Sequence, residues 1–279
     1  RTIEGAIAAV SPVEPVGVGL NFARMAHCRP VVGYANDIDP ATLETVPEDD
    51  GLFSLDFRTG ESKLLLSIAE VVKEAPPPES HGIAWFNHVY FNTAGTRIMF
   101  VSRTPKAPST TDGHGFYVSV WSVDPDGSDL RLQIGWDYKS SHFAWRDERR
   151  VMIWANVLGS AGFVEYTDGL GDFAPVGAGV LTTDGHNSFS PDRRWVICDT
   201  YPQGPERLQE LMLYDVSAQR KHHLGYFHAD AIFTGDIRCD LHPRCSPDVR
   251  TISFDSVHEG HRQIYLADVS AIVSGRPAS

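Results

Sequence analysis

The sequence predicts an all-β chain folded as a β-propeller of four-stranded blades. Three observations predict it. A fourteen-residue segment led by histidine recurs four times without gaps: NHVYFNTAGTRIMF from Asn87, SHFAWRDERRVMIW from Ser141, GHNSFSPDRRWVIC from Gly185 and LHPRCSPDVRTISF from Leu241. The leading histidines, His88, His142, His186 and His242, lie 54, 44 and 56 residues apart, close to the ~40–50 residues of one blade. A second series, VWSVDPDGSDLRLQI, FVEYTDGLGDFAPVG, LMLYDVSAQRKHHLG and IYLADVSAIVSG, follows the copies and reads as strand, charged turn, strand. Finally, hardly any stretch carries a helical period, LLLSIAEVVKEA being the one helical-looking run.

Five units follow in order within one domain spanning 1–279. The first, about 5–70, pairs GAIAAVSP with LFSLDFRTGESKLLL; between them NFARMAHCRPVVGYANDIDP opens a connection of about thirty residues, a length that marks functional or disordered loops. Its GVGLNFA is too poor in glycine for a dinucleotide fingerprint, and no helix is expected behind it. The others span about 83–135, 138–178, 183–228 and 236–272. A closed ring of five blades is one outcome and a ring of six to eight another, with units before Arg1 supplying the rest; an open arc of five would expose sheet edges, which soluble proteins avoid. Two stacked β-sandwiches also give short strands at short intervals, but they do not normally repeat a histidine-led motif four times.

Composition narrows the function classes. With 36 acidic and 24 basic residues the net charge is -12, which argues against non-specific nucleic-acid binding and requires a local basic site for any anionic ligand. No run approaches the ~18 apolar residues of a membrane helix, so no membrane insertion is expected. Residue 1 is Arg with no apolar signal-type segment behind it, as expected of a processed chain or a fragment. Four cysteines are too few and too irregular for a disulfide framework, and they leave the compartment open.

In a propeller the residues just before each innermost strand lie on one rim, so the four histidines are expected at one channel mouth. Each imidazole either hydrogen-bonds the backbone at the start of its strand, or a subset binds a divalent cation. The stretch DIRCDLHPRCSPD adds sulfur as C-x-x-H-x-x-C. Cys245 stands three residues after His242, where the other copies carry Phe91, Trp145 and Phe189, and so reads as a core residue. Cys239 precedes the strand. With His186, His242 and the loop residue His258 it forms the candidate ligand set, imidazole and thiolate suiting Zn²⁺ and imidazole with oxygen suiting Mn²⁺. Cations gather on the same rim: Arg24 and Arg29 in the long loop, Arg103 and Lys106, Arg207, Arg262, and Arg244 facing the channel. With His88 they would grip a carboxylate- or sulfate-bearing ligand.

The pieces DGHNSFSPDRRWVICDTYP and RCDLHPRCSPDVRTISFDSVHEGHRQIYLADVS resemble the TolB-type propeller repeats of oligogalacturonate lyases and related polyuronate lyases, including ulvan lyases. The specific part of the resemblance covers about Ser141–Asp268. It implies a base at His142 and a first metal ligand at His186. The family's Gln-x-x-His-Pro-His run falls on Cys239-Asp-Leu-His242-Pro-Arg244, with Cys239 in place of Gln and Arg244 in place of the last His; a thiolate there would favour Zn²⁺ over Mn²⁺. The implied chemistry is metal-assisted β-elimination across C4–C5 of a uronic acid in an acidic oligosaccharide. Arg244 or the metal would neutralise the carboxylate, His142 would take the C5 proton, and Tyr201 or a water would protonate the leaving oxygen.

Two other readings stand beside the lyase. One is a non-enzymatic propeller binding a glycan or protein partner on its histidine-rich rim. The other, a hydrolase or sialidase-like propeller, would want paired carboxylates where the repeat places histidines.

Overall fold

The computed structural model describes residues 5–29, 32–34, 43–79, 82–106 and 115–275. Parts of the loops beginning at Asn21 and Ser102 therefore lie outside the described residues. The chain divides into two compact units, Arg1–Ser140 with Asp147–Arg149 and Asp168–Gly171, and Ser141–Arg146 with Arg150–Thr167 and Asp172–Ser279.

The first unit holds two antiparallel four-stranded meanders: β1 (Ala9–Val10), β2 (Val16–Leu20), β3 (Gly51–Asp56) and β4 (Ser62–Ser67), then β5 (Trp85–Phe91), β6 (Ile98–Pro105), β7 (Phe116–Val123) and β8 (Arg131–Ile134). Their facing sides share one core, in which Val18, Leu52 and Leu66 of the first meander meet Trp85, Phe86, Phe100 and Trp121 of the second. Two helices lie in this unit, one expected and one not. The shorter-range signal was legible for α2 (Ile68–Glu74), where Ser67 and Glu70 form a reciprocal capping box. Helix α1 (Phe22–Cys28) occupies the start of the long connection read as a loop and follows the GVGL strand directly, contrary to expectation. At seven residues it is too short to show a period; the Asn21 side chain caps it by accepting the Arg24 N–H at 2.9 Å, and Met25 and Cys28 bury its inner side.

The second unit holds the sheet of β9 (Ser140–Trp145), β10 (Arg150–Ala155), β11 (Gly162–Thr167) and β12 (Ala174–Pro175). Next come β13 (Asn187–Phe189), β14 (Trp195–Asp199), β15 (Leu208–Asp215) and β16 (Arg220–His228), then β17 (Arg244–Cys245), β18 (Thr251–Ser256) and β19 (Gln263–Asp268). The fourth sheet is covered on both faces. Along β14, Trp195 and Ile197 enter one core with Leu241, Ile252 and Phe254, while Val196 and Cys198 enter another with Met152 and Phe163. On β15, Leu211 and Leu213 divide from Met212 and Tyr214 in the same way, which is why these strands read as nearly continuous apolar runs. Phe91, Phe189 and Cys245, equivalent in the repeat, each pack against a core cluster.

The turns repeat atom by atom. Ser190 bonds Asp192 and accepts the Trp195 N–H at 3.0 Å; Ser246 bonds Asp248 and accepts the Thr251 N–H at 3.0 Å. Arg193 and Val249, at the same place in each, share a left-handed φ of 62°. The fifth sheet corrects the expected four strands: among the described residues it has three, and α3 (Ser270–Val273) follows β19, with Ile272 and Val273 against the core. Among the described residues no helix is long and apolar enough to cross a membrane, and all four cysteines are free.

Candidate active site and metal centre

His142, His186 and His242 enter the site from three successive sheets of the second unit: His142 within β9, His186 one residue before β13, His242 two before β17. Their rings follow one another in a tilted row, with centroids 4.3 Å apart for His142 and His186 and 3.7 Å for His186 and His242. His242 holds a left-handed φ of 41°, unusual for a residue with a Cβ.

One carboxylate organises the last two. Asp199 ends β14, fully buried, and accepts the backbone N–H of His186 at 2.6 Å and that of His242 at 3.0 Å. It also lies 3.0 Å from His186 Nδ1. An ionised carboxylate can only accept, so Nδ1 carries the hydrogen and Nε2 keeps the lone pair. Burial pushes Asp199 up to about 6, against the pull of those two N–H groups. Burial, then the neighbouring His142, drives His186 down to about 3, leaving its imidazole neutral at physiological pH. His242 is lowered too, by desolvation of its ring and by His186 beside it, although the residue has its outer side in solvent.

His142 is held from both ends. Its Nδ1 lies 3.2 Å from Asp184 Oδ1 and 2.9 Å from Ser141 Oγ, and its Nε2 lies 3.0 Å from the Tyr201 hydroxyl. With Nδ1–H given to Asp184, Nε2 accepts the phenolic O–H. Burial, then Asp184 and Asp240, raises the Tyr201 pKa, so the phenol keeps its proton. The arrangement is a basic nitrogen and a weak acid joined by one hydrogen bond.

His186, Asp240 and His242 bring one donor atom each within 4.8 Å of one another. Two neutral imidazoles and a carboxylate, one imidazole braced by a buried second carboxylate, fit a divalent cation. Asp240 is fixed by Arg238, whose Nη2 lies 2.7 Å from its Oδ2.

Other expected ligands stand elsewhere. Cys239 is buried with Ala229 and Val257, its thiol raised by desolvation, and takes no part in the donor group. Adjacent in the chain, the two side chains thus face different surroundings: Asp240 the imidazoles, Cys239 the apolar cluster. His258 is exposed, its ring beside Tyr265 and Phe227 and its Nδ1 2.9 Å from Ser256 Oγ.

The expected cations divide likewise. Arg24 is not a rim residue: it is buried, and its guanidinium is spent on Asp50 at 2.7 Å and the carbonyls of Ala84 and Glu44. Arg29 closes α1 through its backbone N–H. Arg262 is exposed and paired with Asp255. Arg244 is exposed and donates to its own Pro243 carbonyl at 2.8 Å, while its charge contributes to lowering His186. His88, at a bulge of β5 with φ 51°, belongs to the first unit, as do Arg24 and Arg29.

Asp184, Asp199, Asp240 and Arg238 went unread in the sequence. A signal was there for two of them: Asp184-Gly-His186 and Asp240-Leu-His242 repeat Asp-x-His at equivalent positions, and each aspartate reaches back toward the histidine of the preceding sheet.

Among solved structures, the chain is similar to an oligogalacturonate lyase in complex with manganese, at 16% identity and a TM-score of 0.60, over 93% of this chain and 63% of that one. It is similar to the oligogalacturonate lyase of Vibrio parahaemolyticus at 19% identity and 0.60, over 91% of this chain and 62% of that one. TolB of Acinetobacter baumannii is more distant, at 16% and 0.49, over 79% and 51%. The chain thus spans less than two thirds of the length of either lyase. No protein-family model and no curated protein matches it. At these identities the likeness is one of fold, and that fold is the propeller type, built of antiparallel meanders.

Proposed function

We propose that this chain carries the site of a polysaccharide lyase that cleaves acidic, uronate-containing oligosaccharides by β-elimination. The observation that carries the reading is the His142–Tyr201 hydrogen bond of 3.0 Å beside a two-histidine, one-carboxylate donor group. A proton α to a carboxylate is weakly acidic because its removal puts a second negative charge on the same group. The reaction therefore needs a base, an acid for the leaving oxygen, and positive charge at the carboxylate.

His142 Nε2 takes the C5 proton. The electrons of the C5–H bond form the C4–C5 double bond, the C4–O4 bond breaks, and the Tyr201 hydroxyl gives its proton to O4. The proton gained by His142 then passes to the Tyr201 oxygen along the hydrogen bond they share, which restores both groups. Acid and base stand side by side and so serve one face of the sugar, which suits a uronate whose C5 hydrogen and O4 share that face; where they lie on opposite faces, as in galacturonate, a water protonates O4 instead of Tyr201. Asp184 keeps the His142 proton on Nδ1 throughout. His186, Asp240 and His242 would hold Mn²⁺ or Zn²⁺, which supplies positive charge for the substrate carboxylate; without a thiolate the preference for Zn²⁺ disappears.

The test is ultraviolet absorbance of the unsaturated uronide from oligogalacturonate and ulvan oligomers, with each metal. His142→Ala and Tyr201→Phe are expected to lower kcat about 10²–10⁴-fold, the range of general acid–base catalysis, with the fold retained. A wild-type chain that forms no unsaturated product on any acidic oligosaccharide ends the lyase reading and leaves a glycan-binding propeller.

A further inference from the structure

The imidazole cluster is ringed by carboxylates. Asp184, Asp199 and Asp240 all touch its histidines or their backbone, so an acidic sugar arriving there meets negative charge unless a cation receives it. Of the arginines expected to do so, Arg24 is spent inside the first unit, Arg262 is paired with Asp255, and Arg244 folds onto its own Pro243 carbonyl.

Arg238 differs from all of them. Its guanidinium lies over the Tyr201 ring, 5.0 Å from the centroid, so it is stacked on the residue whose hydroxyl meets His142. Its Nε and Nη2 bond the two oxygens of Asp240 at 3.2 and 2.7 Å, which fixes the plane from the side. The side chain is still 43% exposed. An arginine held by its Nε–Nη2 edge presents its other edge, Nη1 with the second hydrogen of Nη2, as a preformed two-toothed fork for a carboxylate.

We infer that Arg238 receives the substrate carboxylate, beside any cation that His186, Asp240 and His242 hold, and sets the site's preference for free-acid over esterified or neutral sugars. The inference rests on the acidic-sugar reading above. It extends that reading to a residue that stands two positions before Asp240. The carboxylate lands on the end-on edge of Arg238, with the sugar ring over the Tyr201–His142 pair. Lysine would keep the charge without the fork, and glutamine would keep neither.

The test is calorimetric binding of trigalacturonate and of its methyl ester, without added metal, to the wild-type chain, Arg238→Gln and Arg238→Lys, with thermal melting as the folding control. The wild type is expected to bind the acid at least ~10-fold more tightly than the ester, as a lost charge-assisted fork would cost. In Arg238→Gln the ratio falls to about one, mostly by weaker binding of the acid, and in Arg238→Lys it is intermediate. Should Arg238→Gln fail to fold, the lysine variant decides alone, by whether its ratio drops. An unchanged ratio, an equal loss for acid and ester, or a wild type that binds neither overturns the inference. The lyase reading fails separately: acid-selective binding that depends on Arg238 with no unsaturated product sinks the lyase and keeps the receptor, whereas cleavage with an unchanged ratio does the reverse.

Discussion

Asp199 reaches two sheets with a single carboxylate, and its charge decides which nitrogen of His186 is open to a ligand. In Asp199→Asn an amide N–H can face His186 Nδ1, moving the ring hydrogen to Nε2 and closing the lone pair that a cation needs. Affinity for Mn²⁺ or Zn²⁺ should fall about 10–100-fold, as for other groups that orient a ligand, and calorimetric titration would read it; unaltered affinity would mean that His186 is not a ligand. Gly185 shows how tight this corner is. A Cβ there would lie 1.8 Å from the Asp199 carbonyl oxygen, a clash with backbone rather than with a movable side chain. Gly185→Ala should destabilise the protein by about 1–3 kcal/mol in denaturant titrations. At this scale the sequence announced the histidines by their period, but the partner of each depended on which side chains the adjoining sheets turn inward. Hence Asp240 takes the place expected of Cys239, one residue away.

The strand-turn-strand elements repeat with their own electrostatics. Between β15 and β16, Asp215 accepts the N–H groups of Ser217 and Ala218 and pairs with Arg194 at 2.7 Å. Burial alone would raise its pKa, but the Arg194 guanidinium and the two N–H groups outweigh it and hold the carboxyl below its ordinary value. A depressed folded pKa stabilises the fold above the unfolded pKa, near 3.8, and that contribution is lost as pH falls through the folded value. Asp215→Asn should therefore cost about 1–3 kcal/mol at pH near 7, with the gap from wild type shrinking below pH about 4. Urea midpoints across that range check it; a gap independent of pH would assign the effect to packing. The turns were legible because Ser-Pro-Asp chemistry is local, acting over two to five residues. Helix α1 was not, because seven residues carry no period and its seat depends on Asn21, Asp50 and the core under Met25.

For the molecule as a whole, metal binding should appear as stability. A cation bound only by the folded chain adds about 2.7 kcal/mol at a hundred times its dissociation constant, so Mn²⁺ or Zn²⁺ should raise the melting temperature and a chelator reverse it. Combined His186→Gln and His242→Gln should remove that shift; persistence of the shift would move the site elsewhere. The five sheets were readable in advance, because period-two apolar patterning and turn residues act within a strand or across one hairpin. The histidine-led repeat was readable too, since a repeat declares itself in one dimension. The pairing of His142 with Tyr201 and Asp184, the entry of Asp240 beside the expected His186 and His242, and the withdrawal of Cys239, His258 and Arg24 came from three-dimensional packing alone. Sequence specifies which side chains a strand carries; the few ångströms that make a base, an acid or a ligand set arise between neighbouring sheets, where a one-residue change of facing exchanges a carboxylate for a thiol.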